Sequence, residues 1–152
     1  MLRFTAALFG VWLVAAAPAA ADPVTSLLAD VNAARTHAGL APLHLVARLS
    51  DVARSHSAAM ARLGFFDHRS PDGKRVGERL ADAGYGYLFA GENLSAGIEN
   101  PDAVVKQWML SGDHRRNLLE PRAREVGIGF VAAASAPYRV YWTLILAEPA
   151  AR

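Results

Sequence analysis

His68, Glu92 and His114 are the residues of this 152-residue chain whose types could share one piece of chemistry. His68 follows Phe65-Phe66-Asp67 and precedes the turn sequence Ser70-Pro71-Asp72-Gly73. Glu92 stands between Gly91 and Asn93 in an otherwise apolar stretch, where an unpaired carboxylate is costly. His114 ends the run from Trp108 to His114, WMLSGDH. Two neutral imidazoles and one carboxylate suit a divalent cation such as zinc and leave coordination positions open. The long separations exclude a local ligand motif, and there is neither His-Glu-x-x-His nor any cysteine. Two arrangements stay open. A cation sits among the three side chains, or Glu92 accepts hydrogen bonds from His114 and backbone amides and ties strand to loop.

The same residues say little about catalysis. No Gly-x-Ser-x-Gly elbow is present, and the absence of cysteine removes a thiol nucleophile. Ser111 is close to His114 and Ser95 follows the Glu92 segment, but only in sequence. A metal-bound water with Glu92 as general base is chemically sound, yet a carboxylate that ligates the metal is not also a free base. No catalytic residue is assigned. His56 reads as a core histidine, Trp108 and Trp142 as core aromatics whose indole N–H needs a partner, and Asn93 as a brace for its strand. Asp72 reads as a turn residue, and His37 and His44 as solvent-facing.

These residues need a scaffold. Leu27, Leu28, Val31 and Ala34 fall on one stripe of a helix over 23–38, which Gly39 stops. A loop over 40–45 contains Pro42. A second helix over 46–63 places Leu49, Ala53, His56, Met60 and Leu63 on one face, with Gly64 as its C-terminal cap. A short helix over 76–83 ends at Gly84, and a strand over 87–94 follows. Asn100-Pro101-Asp102 starts a helix to about Leu110 that buries Val104, Val105 and Trp108. Residues 111–121 are irregular or one short turn. Strands over 125–133 and 138–146 form a closing antiparallel hairpin. Pattern alone gives an α+β domain with helices on a sheet.

The first residues read as a secretory signal. Arg3 precedes an apolar run from Phe4 to Ala17, and Ala19-Ala20-Ala21 supplies a small-residue cleavage site, dividing the chain into a signal peptide over 1–21 and one domain over 22–152. Export to the periplasm or the extracellular space is expected, with no membrane-spanning segment after signal removal. The domain must hold without disulfides. Removing Arg3 takes the net charge from +2 to +1, and no Lys/Arg run is interleaved with aromatics, which argues against nucleic acid as a partner. The basic residues over 69–79 and at Arg115, Arg116, Arg122 and Arg124 read as solvated surface.

Four strings, FFDH at 65–68, GENL at 91–94, WMLSGDH at 108–114 and YWT at 141–143, together resemble the signature of the CAP superfamily of cysteine-rich secretory proteins, antigen 5 and pathogenesis-related proteins. The resemblance implies a three-layer α-β-α sandwich over about 27–147. It also implies a cleft lined by His68, Glu92 and His114 that can bind a divalent metal. Here Ser111 stands where the family often has a second glutamate, and Glu125 is the other candidate for a fourth member. The family resemblance implies a module that binds a lipid, a glycan or a protein, and a monomer is expected. The alternative is a metal-dependent hydrolase acting on an envelope or extracellular substrate.

Overall fold

The computed structural model describes residues 22–151. The expected signal segment lies outside the described residues. Helix α1 (Pro23–His37) opens the domain, followed by strand β1 (His44–Leu45) and helix α2 (Ala47–Leu63). Helix α3 (Val76–Asp82), strand β2 (Tyr87–Ala96), helix α4 (Pro101–Leu110) and helix α5 (Gly112–Leu118) come next. Strands β3 (Glu125–Ala132) and β4 (Val140–Pro149) close it.

The four strands form one sheet in the order β1-β3-β4-β2, with β1 parallel to β3 and the other pairs antiparallel. Strand β1 corrects the loop expected over 40–45. It exists through two bridges, His44 N–H to Arg124 O and Val46 N–H to Val126 O, both 2.9 Å. Such a pairing is set by a distant strand and leaves no alternation in the local sequence.

Strand β4 is buried on both faces, and its alternation defines the layers. Trp142, Leu144 and Leu146 join Leu27, Val31, Val104, Val105, Trp108 and Leu118 on the face covered by α1, α4 and α5. Ile145 and Ala147 meet Leu49, Val52, Ala53 and Leu80 on the face covered by α2 and α3. The result is a helix–sheet–helix sandwich, as the resemblance implies.

The caps agree with the sequence. Asn100 Oδ1 accepts from the Asp102 and Ala103 N–H groups at 3.0 and 3.4 Å, and Gly64 closes α2 with φ of 71°. Trp108 donates its indole N–H to Leu94 O at 2.9 Å, and Trp142 donates to Ile98 O at 2.8 Å. Both indoles thus fill the core and leave no buried donor unpaired. Leu63 departs from expectation, since it is 55% exposed. The segment expected to be irregular or one short helical turn contains the seven-residue α5.

Arg35 is fully buried and makes no ion pair with a carboxylate among the described residues. Its guanidinium donates to Ala41 O, Leu118 O, Glu120 O and Ala123 O at 2.7–3.3 Å, so α1 clamps the chain between α5 and β3. A planar fork of donors suits several carbonyls at once.

Candidate functional site

Strand β2 is an edge of the sheet, yet Gly91 to Ser95 are buried because α3, the 65–75 segment and α5 cover it. Successive side chains on a strand point to opposite faces. Glu92 pairs in register with Ile145 and faces the α2–α3 layer; Asn93 pairs with Leu144 and faces the α4–α5 layer. One dipeptide thus reaches both helical layers across the sheet edge.

On the first side, His68 Nδ1 lies 2.8 Å from Glu92 Oε1, and the Arg79 guanidinium takes Glu92 Oε2 through Nη2. The Glu92 side chain is only 2% exposed and Arg79 12%, whereas His68 is 45% exposed. A carboxylate accepts, so His68 carries its proton on Nδ1, and Nε2 of the neutral ring keeps its lone pair. Arg79 does more than pair with the acid. Its Nη1 donates to His68 O, Ser70 Oγ and Lys74 O, each at 3.0 Å, and so fixes the turn that carries His68.

On the second side, Asn93 Nδ2 donates to His114 O at 3.0 Å. Asn117, one turn along α5, donates to Glu92 O at 3.1 Å and Asn93 Oδ1 at 2.9 Å. A Cβ at Gly91 would sit 3.0 Å from Asn117 Oδ1, so glycine leaves room for this contact. Burial pushes the His114 imidazole below its ordinary value; nearby His68 adds to the shift and Asp113 opposes it. His114 Nδ1 is buried with no partner among the described residues.

The structure thus brings His68 and Glu92 into direct contact, and His114 is near enough to His68 to feel its charge. Two expectations change. The hydrogen-bond partners of Glu92 are His68 and Arg79, not His114, because His114 rises from the layer that Asn93 faces. Arg79, read as solvated surface, is turned inward. The buried acid is the one signal in the sequence that points to it, since a carboxylate in an apolar strand requires a cation.

Of the two fourth-member candidates, Glu125 lies apart. Glu125 starts β3, two strands from β2, and accepts from Tyr85 Oη at 2.6 Å. Ser111 precedes α5, and its carbonyl accepts from Arg115 N–H at 2.8 Å. Among the described residues, no group of three or more His, Cys, Asp or Glu is arranged to hold a metal ion. Glu92 Oε1 meets His68 Nδ1 and Oε2 meets the Arg79 guanidinium, while His114 Nδ1 has no partner among the described residues.

His56 extends the network inward. It is 2% exposed, its Nε2 lies 2.9 Å from Asp67 O and its Nδ1 3.4 Å from Ser70 Oγ. The carbonyl requires the proton on Nε2, which leaves Nδ1 to accept from Ser70. A groove of about 500 Å³ between α2, α3 and the 70–74 turn reaches Ser70 and Arg79 from behind. Burial pushes His56 below its ordinary value, with Glu92 opposing. The unfolded ring then binds protons more readily than the folded one. The His56 contribution is intact above the ordinary value near 6.5 and is lost as pH falls below it. Thermal unfolding from pH 7.5 to 5 is expected to show a falling midpoint, and His56→Gln should flatten that fall. His114, shifted the same way, adds to that slope.

Comparisons with known proteins agree with this architecture. A domain profile described as the cysteine-rich secretory protein family, CAP, matches residues 28–146. The chain is 39% identical over 104 residues to the uncharacterized protein YkwD of Bacillus subtilis, covering 68% of this chain and 40% of that one. It is 31% identical over 98 residues to the uncharacterized membrane protein YlbC of the same organism, covering 64% and 28%. The chain thus spans less than half the length of these relatives. The structure of an extracellular SCP-domain protein from Bacillus anthracis superimposes with a TM-score of 0.72 at 28% identity, over 81% of this chain and 39% of that one. An outer surface protein from Borrelia burgdorferi shares the fold, with a TM-score of 0.78 at 16% identity over 84% and 93% of the two chains. With its helix–sheet–helix sandwich and the profile match over residues 28–146, this chain belongs to the CAP family of cysteine-rich secretory proteins.

Proposed function

We propose that this domain is an exported ligand-binding module whose binding edge is the cleft between His68 and His114, and that the two imidazoles hold a divalent cation such as zinc weakly. The observation that carries this reading is the 2.8 Å contact from His68 Nδ1 to a Glu92 carboxylate that is 2% exposed. A carboxylate behind one ring nitrogen fixes the tautomer and turns the other nitrogen outward as a donor. The orphaned nitrogen of His114 fits the same use. Glu92 orients and does not ligate, which removes the conflict between its roles as ligand and as base.

Export is supported by the leader-like N-terminus and by the extracellular relative from Bacillus anthracis. No helix among the described residues is long and apolar enough to cross a membrane. A hydrolytic reading draws no support from the geometry: Glu92 is held on both oxygens, and no hydroxyl is bonded to either cleft imidazole among the described residues. The ligand classes consistent with the family are lipid, glycan and protein.

Zinc titration by calorimetry tests the cation. One ion per chain is expected for the wild type and none for the His68→Ala/His114→Ala double variant. Equal uptake by both proteins would falsify the two-imidazole assignment. Mass spectrometry of molecules that copurify with the mature protein tests the ligand. A molecule retained by the wild type and lost from the double variant is expected.

A further inference from the structure

We infer that the end of the domain formed by the α2 C-terminus and the turn over 133–139 docks on an anionic bilayer surface. Leu63, Phe66 and Tyr138 enter the headgroup boundary, while Arg62 and Arg139 meet lipid phosphates. The inference is independent of any ion at the cleft, since none of these five residues belongs to it.

Leu63, Phe66 and Tyr138 are 55%, 44% and 48% exposed. Single exposed apolar side chains are ordinary, but these belong to one patch. The Phe66 and Tyr138 rings lie 5.8 Å apart between centroids. Beside Tyr138, Pro137 approaches the end of α2: a Cβ at Gly64 would lie 3.8 Å from Pro137 Cγ. Arg62, Leu63, Val131, Ala133 and Pro137 line one shallow depression of about 610 Å³. Helix end and turn thus share an apolar surface that neither makes alone.

The turn is set before any partner arrives. Ala136 N–H donates to Ala133 O at 2.9 Å, Arg139 N–H to Ala136 O at 3.1 Å and Ala133 N–H to Arg139 O at 2.7 Å. Arg139 has φ of 64°, and it is the one non-glycine residue with positive φ among the described residues. Residues with a Cβ occupy that region rarely. The bonds hold Tyr138 and Arg139 in fixed, exposed positions, so docking costs little ordering entropy.

Charge selects the occupant. Neither Arg62 nor Arg139 has an ion pair or a side-chain hydrogen bond among the described residues. No acid lines the depression. Asp67, next to Phe66, accepts from Arg69 N–H through Oδ1, and Glu99 lines the adjoining groove with Arg139 without pairing with it. A second copy packed symmetrically on this face would set the arginines against their own counterparts, a like-charge cost. An anionic bilayer supplies both complements at once, an acyl boundary for the apolar side chains and phosphates for the guanidinium forks. Tyrosine suits that depth, with an apolar ring and a polar tip.

Vesicle flotation tests this with the mature protein, so that the leader-like segment contributes nothing. One set of vesicles holds phosphatidylglycerol and phosphatidylcholine in equal parts, the other phosphatidylcholine alone. The wild type is expected to float with the anionic vesicles, less so at high salt, and not with the neutral ones. Leu63→Ser/Phe66→Ser and Arg62→Gln/Arg139→Asn, each first shown to be folded by thermal unfolding, are expected to lower partitioning at least about tenfold. Asparagine tolerates the positive φ at 139 and removes the charge. Leu110→Ser removes a leucine that is 89% exposed on α4, in the other helical layer, and is expected to leave partitioning unchanged. No flotation by the wild type, equal flotation on neutral vesicles, or flotation that both patch variants retain overturns the inference. Self-association that the patch variants abolish, without vesicle binding, gives the face to a second copy and overturns it too.

Discussion

Glu92→Ala is expected to destabilise the domain by about 3–5 kcal/mol, because it leaves the mostly buried Arg79 guanidinium without its acid. The loss exceeds that of a surface ion pair, which is worth about 0–1 kcal/mol. It also removes the acceptor of His68 Nδ1. Arg79 then has its three oxygen acceptors on the 68–74 turn but no counter-charge. Urea unfolding measures the cost. The double variant Glu92→Ala/Arg79→Met is expected to recover part of it, because no buried charge is then left alone. A double-mutant cycle with additive losses would show that the pair does not couple and that the destabilisation has another source.

The same pair shows where sequence reading succeeds and where it stops. The α4 start at Asn100-Pro101, the Gly64 cap and the apolar stripe of α4 are local signals, and the structure follows each of them. The three cleft residues are legible as types, and their order resembles the family signature. The pairing among them is not. Strand periodicity alone sends the Glu92 and Asn93 side chains to opposite faces, so the helix that meets the Asn93 side chain does not supply the partner of the Glu92 carboxylate. That argument needs the layer occupied by α5, which no short-range pattern encodes.

Arg79, Asn117 and Arg35 escape sequence reading for a related reason. Arg35 acts on backbone carbonyls alone, and Arg79 and Asn117 do so in part; carbonyls belong to every residue, so such partners leave no mark in the sequence. Arg35 reaches positions 83–88 residues away, and Asn117 reaches across to β2 from α5. Arginine clamps of this kind bring together distant segments of a chain that has no cysteine. Cross-links do this work in small exported domains that have them. A multidentate guanidinium supplies directional hold at the same kind of junction, with no dependence on the redox environment.

Gly127→Ala and Gly129→Ala are each expected to cost more than about 3 kcal/mol, the upper end for overpacking, because the obstacle is helix backbone and not a movable side chain. A Cβ at Gly127 would lie 2.2 Å from Leu49 C and 2.5 Å from Leu49 O. At Gly129 it would lie 2.3 Å from Ala53 C and 2.4 Å from Arg54 N. The matched spacing explains why both positions are bare. Four helical residues, from Leu49 to Ala53, rise about 6 Å, and two strand residues, from Gly127 to Gly129, rise about 6.6 Å. One turn of α2 therefore steps along β3 in phase with its glycines, so the helix backbone seats directly on the sheet. Ser50 and Ser57 fix the register, the first by accepting from Ile128 N–H and the second by donating to Gly129 O, both at 3.3 Å. Gly112→Ala is the control, since its nearest neighbour would be the flexible Arg116 Nη1 at 3.9 Å, and a change within about 0.5 kcal/mol is expected there. Denaturant midpoints for the three variants decide the matter, and equal midpoints would show that α2 can lift off the sheet cheaply. The consequence reaches the cleft. His56 rides on α2 and holds Asp67 O, so a helix displaced by added carbon at β3 carries the turn that bears His68 away from Glu92.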